Sequence, residues 1–309
     1  IFIAKYNSLG NLQWVIDEGG AFNDAANEIT IDISNNIIVT GYFEDSISIG
    51  STNFTSFGNK DIFIAKYHNS NTFLWAKQAG GIATDEGISI SSDQSGNTYV
   101  FGHFNGTANF SGFSINSSGI NDFFIAKYST NGGIEWLKQS NSSGEISSGS
   151  IFTDNNGNSY ISGSYINSFS FGNHAISGAT DMDVFVSKIN TAGTVLWIEE
   201  GTGQGSDIGN AICTDNSTNI FVCGEFENTL DFDTISLSSS GDKDIFISKI
   251  SELELNADFD ISNVSCYGIA DGSIDLSVIG GTAPYSILWS NGNSSEDIDS
   301  LLPATYFVF

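Results

Sequence analysis

The chain has 309 residues, 40% apolar and 13% aromatic, enough to bury a sizeable core and to exclude a disordered chain. Nine lysines, no arginine and 36 acids give a formal charge of −27, which excludes the basic surface that nucleic acid requires and disfavours an anionic membrane surface. No apolar run approaches the ~20 residues of a spanning helix, so no membrane insertion is expected in this segment; with Ile first and TYFVF last, we read it as an internal piece of a longer chain.

The first residues already belong to a repeat. IFIAKY at Ile1 to Tyr6 returns as DIFIAKY from Asp61, DFFIAKY from Asp122, DVFVSKI from Asp183 and DIFISKI from Asp244. The lysines Lys5, Lys66, Lys127, Lys188 and Lys249 are each 61 residues apart, and Trp14, Trp75, Trp136 and Trp197 keep the same step. So do Gly41, Gly102, Gly163 and Gly224, the aromatics Phe43, Phe104, Tyr165 and Phe226, and the acids Asp32, Asp93, Asp154 and Asp215. Such a period marks a solenoid, a propeller or an array.

Within one period the predicted strands are 87–92, 98–104, 122–128 and 134–138, each short, β-branched or aromatic, and bounded by turn residues. The turns DISNN, DQSGN, DNNGN and DNSTN join the first strand to the second. An Asp followed by Gly or Asn suits a tight hairpin, and the alternating acids and distal glutamate of a calcium loop are missing. In the third strand Phe63, Ala65 and Tyr67 alternate with Ile62, Ile64 and Lys66, so both faces are apolar, as in a sheet sandwiched between neighbours. Four antiparallel strands per unit, repeated about an axis, describe a propeller blade. The expected fold is all-β: a β-propeller over 1–251, with half a blade, three complete blades and three strands of a fifth, followed by a second unit over 252–309.

These columns together resemble the bacterial SBBP β-propeller repeat, a resemblance that covers 1–251 and whose family name implies seven blades. In 252–309 the motifs CYG from Cys266, DGSI from Asp271, GGTAPY from Gly280, WSNG from Trp289 and the stretch 298–306 resemble the SprB repeat. That resemblance implies an immunoglobulin-like β-sandwich from large surface adhesins of gliding Bacteroidetes, with export through the type IX pathway. One departure is Ala304, where the family has a glycine; a turn that needs positive φ would be strained there.

Chemistry is sparse by comparison. A catalytic lysine needs one desolvated pocket, whereas this lysine recurs in every repeat; we read it as structural, its stem between blades and its ammonium at the rim or on a column Asp. The tryptophan column is read as packing at the blade edge rather than as a sugar platform. His68, His103 and His174 fall in unmatched columns, and no ligand spacing, Gly-x-Ser-x-Gly elbow or phosphate loop is present. Cys213, Cys223 and Cys266 form no CxxC pair; the first two are expected as buried free thiols on one hairpin rather than a disulfide framework.

The candidate ligand or cation residues are Asp24, Asp85, Glu145 and Asp207, one acid in each connection between repeats, expected to ring the channel mouth. A solvated acidic rim is the preferred reading over a calcium site. The 18-residue segments such as 43–61 vary most between repeats and are expected to open on the same face, where recognition resides. No cofactor is expected. The expectation is a non-enzymatic, extracellular or cell-surface protein whose propeller recognises a glycan or protein ligand, the SprB-like unit acting as spacer. Its rivals are a polysaccharide-acting propeller enzyme, for which no blade shows a unique catalytic cluster, and a purely structural spacer.

Overall fold

The structure, a computed structural model, describes residues 1–215, 219–251, 256–279 and 285–309. Among the described residues it is all-β, with 0% helix and 68% strand, and its strands curl into a half-barrel sheet. The chain divides into two units, Ile1–Lys249 and Ile250–Phe309, a boundary two residues before the one the period suggests.

Unit 1 begins with a hairpin of β1 (Phe2–Tyr6) and β2 (Leu12–Asp17), then β3 (Gly19–Gly20). The first full repeat is the antiparallel meander β4 (Asp24–Ile31), β5 (Ile37–Ile49), β6 (Thr52–Tyr67) and β7 (Phe73–Gly81). The second pairs β8 (Glu86–Ser92), β9 (Thr98–Phe104), β12 (Asp122–Tyr128) and β13 (Ile134–Ser142), and carries the hairpin β10 (Thr107–Phe110) and β11 (Phe113–Asn116). The third is β14 (Ile146–Thr153), β15 (Ser159–Phe171), β16 (His174–Ile189) and β17 (Val195–Gln204). The fourth has β18 (Ile208–Thr214), β19 (Asn219–Phe232) and β20 (Ile235–Ser251).

The core lies between repeats, which explains the two apolar faces of the third strand. Phe63, Ala65 and Tyr67 join the cluster shared with Ile3 of the opening hairpin. From the opposite face Ile62 and Ile64 pack with Ile90, Val100 and Phe124 of the next repeat. Every residue of Asp122–Tyr128 is buried. Burying apolar surface at about 25 cal/mol per Å² on both faces makes each repeat depend on its neighbours.

A second device was not expected from the sequence. The segments read as open, variable loops are hairpin arms, and each arm pairs with the tail of the preceding repeat's last strand. Ser48 and Ile47 pair with Gly19 and Gly20; Ala108 to Phe110 pair with Gly81 to Ala79; Phe171 to Phe169 with Ser140 to Ser142; Asp231 to Thr229 with Thr202 to Gln204. The predicted fourth strand, 134–138, therefore runs on to Ser142. The paired positions of the arms differ between repeats, because a backbone ladder tolerates many side chains.

The glycine column has a steric cause. Each first strand carries a register shift beside it, at Ala26/Glu28, Gly87/Ser89, Ser148/Ser150 and Gly209/Ala211. At Gly102 a Cβ would lie 2.0 Å from the Glu86 carbonyl oxygen and 2.9 Å from the Phe124 ring. A bulge and a covering ring leave room for hydrogen alone.

Two further expectations are corrected. Cys213 and Cys223 are free as expected but exposed rather than buried, since the three-stranded fourth repeat has no following repeat packed on it among the described residues; Cys266 is also free and exposed. In unit 2, β21 (Asn256–Ser262), β22 (Gly272–Ile279) and β23 (Ile298–Leu301) form a three-stranded antiparallel sheet over Ile274, Leu276, Trp289, Ile298 and Leu301. Ala304 has no positive φ, so the expected strain is absent; Ser300, at φ 55°, takes that conformation instead. Residues 280–284 of the GGTAPY motif lie outside the described residues.

If the glycine column is steric, Gly102→Ala should lower stability by about 2 kcal/mol through overpacking, with an unchanged urea m-value. Urea denaturation followed by tryptophan fluorescence measures this, and a neutral substitution would contradict the explanation.

Candidate functional site

Lysine and tryptophan form one device at the seam between repeats. A register shift follows each lysine, at Lys5/Tyr6, Lys66/Tyr67, Lys127/Tyr128 and Lys188/Ile189, and each lysine pairs across the ladder with its tryptophan. The indole Nε1 of Trp14, Trp75 and Trp136 donates to the carbonyls of Asn69, Thr130 and Thr191, in the next repeat, at 3.0–3.1 Å. The ammonium groups of Lys5, Lys66 and Lys127 reach the same three carbonyls at 3.4–3.5 Å. Lys188 lies over the Tyr160 ring, Trp197 is half-buried opposite it, and Lys249 is exposed near the end of β20.

Lys66 also makes a buried ion pair with Asp32 at 2.8 Å. Burial alone would raise the Asp32 carboxyl, but the bonds from Lys66 and Asn36 outweigh it and hold the group below its ordinary range. Lys127 instead pairs with Glu135 at 3.1 Å, while Asp93 accepts from Tyr99.

The turn aspartates are occupied by their own turns. Asp32 Oδ1 accepts the backbone N–H of Ser34 and of Asn36, each at 2.8 Å, and its Oδ2 takes the Asn36 amide. Asp93 and Asp154 repeat the pattern. Asp215 accepts from Asn219, and the middle of that turn, 216–218, lies outside the described residues. Among the described residues no three His, Cys, Asp or Glu side chains form a metal-holding group.

The connection acids do not share one environment. Asp24 opens β4 and accepts Gly20 N–H at 2.6 Å, with its other oxygen buried. Asp85 and Asp207 are fully buried immediately before β8 and β18, which corrects the solvated-rim reading for both. Glu145 is exposed, and Ile146, in phase with the other acids, is buried in its place. Burial, and then the charge of Asp61, pushes Asp85 up to about 7 against opposing bonds from Gly81 and Asn105. Burial, with Asp183, Asp181 and Glu227 nearby, pushes Asp207 up to about 7 as well. The sequence reading missed Asp61 and Asp183 as partners of these acids. They stand in a visible column, the first letter of the heptapeptide, but nothing in one repeat shows what the next lays against it.

The arms and connections do meet. Asp85 and Asp207 donate their N–H groups to the carbonyls of Lys60 and Met182, and Glu44 N–H donates to Asn23. Beside this junction a cleft of about 530 Å³ is lined by Phe22, Glu44, Asp45, Phe57, Lys60 and Thr84. The rings of Phe22 and Phe57 are each 59% exposed. Lys60 bonds Glu86 at 2.8 Å and stands 3.8 Å above the Tyr42 ring.

Residues 259–294 match the SprB repeat family. The chain is also similar to an uncharacterized WD repeat-containing protein of Acanthamoeba polyphaga mimivirus, 29% identical over 250 residues, covering 63% of this chain and 18% of the relative's length. The chain thus spans less than a fifth of that relative, whose WD repeats fit a β-propeller.

Lys66→Met should destabilise unit 1 by about 3 kcal/mol, because it strands a buried carboxylate, and adding Asp32→Asn should recover most of the loss in a double-mutant cycle. Since the folded-state Asp32 value is depressed, this contribution stands above the ordinary carboxylate range and fades as pH falls through it. Melts with and without millimolar calcium should share one midpoint; a rise would reveal an ion held by the acids.

Proposed function

We propose that the chain is a non-enzymatic, secreted or cell-surface protein in which a β-propeller of four-stranded blades presents a recognition face. The SprB-repeat unit serves as an immunoglobulin-like spacer. Supporting the propeller reading, successive repeats are antiparallel meanders whose first strands pack side by side, β4 on β8, β8 on β14 and β14 on β18. The SprB repeat supports a surface setting linked to gliding motility. The SBBP resemblance and export in the manner of Bacteroidetes surface adhesins belong to the same proposal.

The observation that carries recognition is the cleft at the arm junction. Two exposed phenylalanine rings stand beside Glu44, Asp45 and Lys60. Aromatic faces take the C–H face of a sugar ring while carboxylates accept its hydroxyls, and few polar groups on a rigid apolar frame are enough to fix orientation. The proposed ligand is therefore an extracellular glycan. The seam lysines and tryptophans hold the scaffold and take no part.

A glycan array probed with the full chain and with the Phe22→Ala/Phe57→Ala variant tests this. Binding to a defined glycan class, weakened about tenfold or more in the variant at an unchanged melting midpoint, is the expected result. Equal binding by both proteins, or none by either, would sink the assignment.

A further inference from the structure

The first letter of the heptapeptide is the least explained group in the fold. Asp61, Asp122 and Asp183 are buried at the seams, Asp61 and Asp122 completely and Asp183 at 4% exposure. At the first seam Asp61 faces Asp85. The Oδ2 of Asp61 accepts Phe57 N–H at 3.0 Å and the Gln78 amide at 2.6 Å, whereas its Oδ1 is buried with no donor. Both oxygens of Asp85 accept backbone N–H groups, Oδ2 from Gly81 at 2.7 Å and Oδ1 from Asn105 at 3.2 Å. A Cβ on Gly80 would lie 2.8 Å from Asp61 Oδ1 and 3.0 Å from Asp85 Oδ2, so the orphan oxygen and the second carboxylate converge on one point.

The third seam repeats the arrangement with Asp183 and Asp207. Asp207 is fully buried; Asp183 Oδ1 and Asp207 Oδ2 are both buried without a donor. At the second seam the second acid is replaced by Ile146, and Asp122 is fully satisfied there. Its Oδ1 takes Ser140 Oγ–H at 2.8 Å and Ser142 N–H at 2.7 Å, and its Oδ2 takes Ser118 N–H at 2.7 Å and Ser118 Oγ–H. The columns of Ser118 and Ser140, whose hydroxyls reach Asp122, hold Phe57 and Ala79, or Ala179 and Gly201, at the two-acid seams. Where the second acid is lost, hydroxyl donors appear.

That exchange identifies what the second acid supplies. Each two-acid seam lacks one hydrogen-bond donor and carries two like charges in a dry site, and one proton removes both faults. We propose that Asp61 with Asp85, and Asp183 with Asp207, are carboxyl–carboxylate pairs that each hold one shared proton, O–H of one acid donating to the facing oxygen of the other. The raised values of all four acids, burial being the first cause of each, agree with this. The charged neighbours are the Lys60 and Glu86 ion pair, with His103 across the ladder from Glu86, at the first pair. At the other they are Asp181, Glu200 and Glu227. Among the described residues the nearby cation, Lys243, pairs with Glu225, across the ladder from Ile208, and not with the two acids. A divalent ion is disfavoured because the same carboxylates already receive N–H groups, and among the described residues the neighbouring acids are not gathered into a group of three that could hold a metal.

The sign follows from linkage. Folded-state values raised above the unfolded ones mean that the folded protein binds more protons, so the stabilisation is complete below the unfolded carboxylate range, near pH 4. It is lost as pH rises through about 7. The two seams are therefore tightened by acid and loosened by mild alkali.

The test compares the full chain with the Asp61→Asn/Asp183→Asn variant, in which an amide N–H stands at each orphan oxygen and supplies the missing donor at every pH. From about pH 5 to about pH 7 the wild-type chain should lose stability with a slope about two protons steeper than that of the variant, one for each pair. The variant should melt higher than wild type at about pH 8. Carboxyl carbon NMR of the wild-type chain should show the Asp85 and Asp207 midpoints above about 6, against an ordinary value near 4. Ordinary midpoints, or equal slopes in the two proteins, overturn the proposal. So does a rise in the wild-type melting midpoint on adding calcium chloride at about pH 8 that the variant lacks, which would make the pair a cation site.

Discussion

One carbonyl at each seam carries the register of the whole array. Thr130 O receives the indole N–H of Trp75 and the ammonium of Lys66, and Asn69 O and Thr191 O do the same one repeat earlier and later. Both donors come from adjacent strands of one repeat and their acceptor from the turn after the third strand of the next. An insertion between them would shift a side chain away from a buried polar group, at a cost of about 1–3 kcal/mol per unsatisfied partner. The constant spacing is the trace of that constraint. The apolar cores, which tolerate exchange such as Val186 where Ile64 and Ile125 stand in the other repeats, hold the repeats together without fixing their length.

The arms add directionality. A propeller-like array can be stabilised by face-to-face packing alone, yet here each repeat also lends backbone donors and acceptors to the one before it. The tail of a last strand would otherwise be an open edge ready for unwanted pairing. Covering it with the next arm also braces the Phe22 and Phe57 cleft, which sits where arm and connection are already bonded to each other.

Much of this was legible in the sequence because the determinants are local and periodic. The strands 98–104 and 122–128 stand where alternation placed them, and the turn aspartates cap their own hairpins as the D-x-x-G-N pattern implies. What the sequence hid depends on neighbours 61 residues away. Asp85 and Asp207 look like ordinary surface acids until the preceding repeat's third strand is laid against them, and Cys213 and Cys223 look buried until the fourth repeat is seen uncovered. The arms read as loops because ladder pairing leaves almost no mark on side-chain identity. The cleft was invisible for the same reason: Phe22 and Phe57 match no column, and only the fold brings them to one opening.

The backward reach of each arm also sets an order of events. The tail Ala79 to Gly81 is complete in sequence well before Ala108 to Phe110, the residues that pair with it, have been made. A chain synthesised from its N-terminus leaves each repeat with one unsatisfied strand end until roughly 30 further residues emerge, and the arrival of the next arm closes it. Growth therefore proceeds as a zipper with a single open tooth, and the number of backbone groups exposed at the growing end stays the same however many repeats precede it.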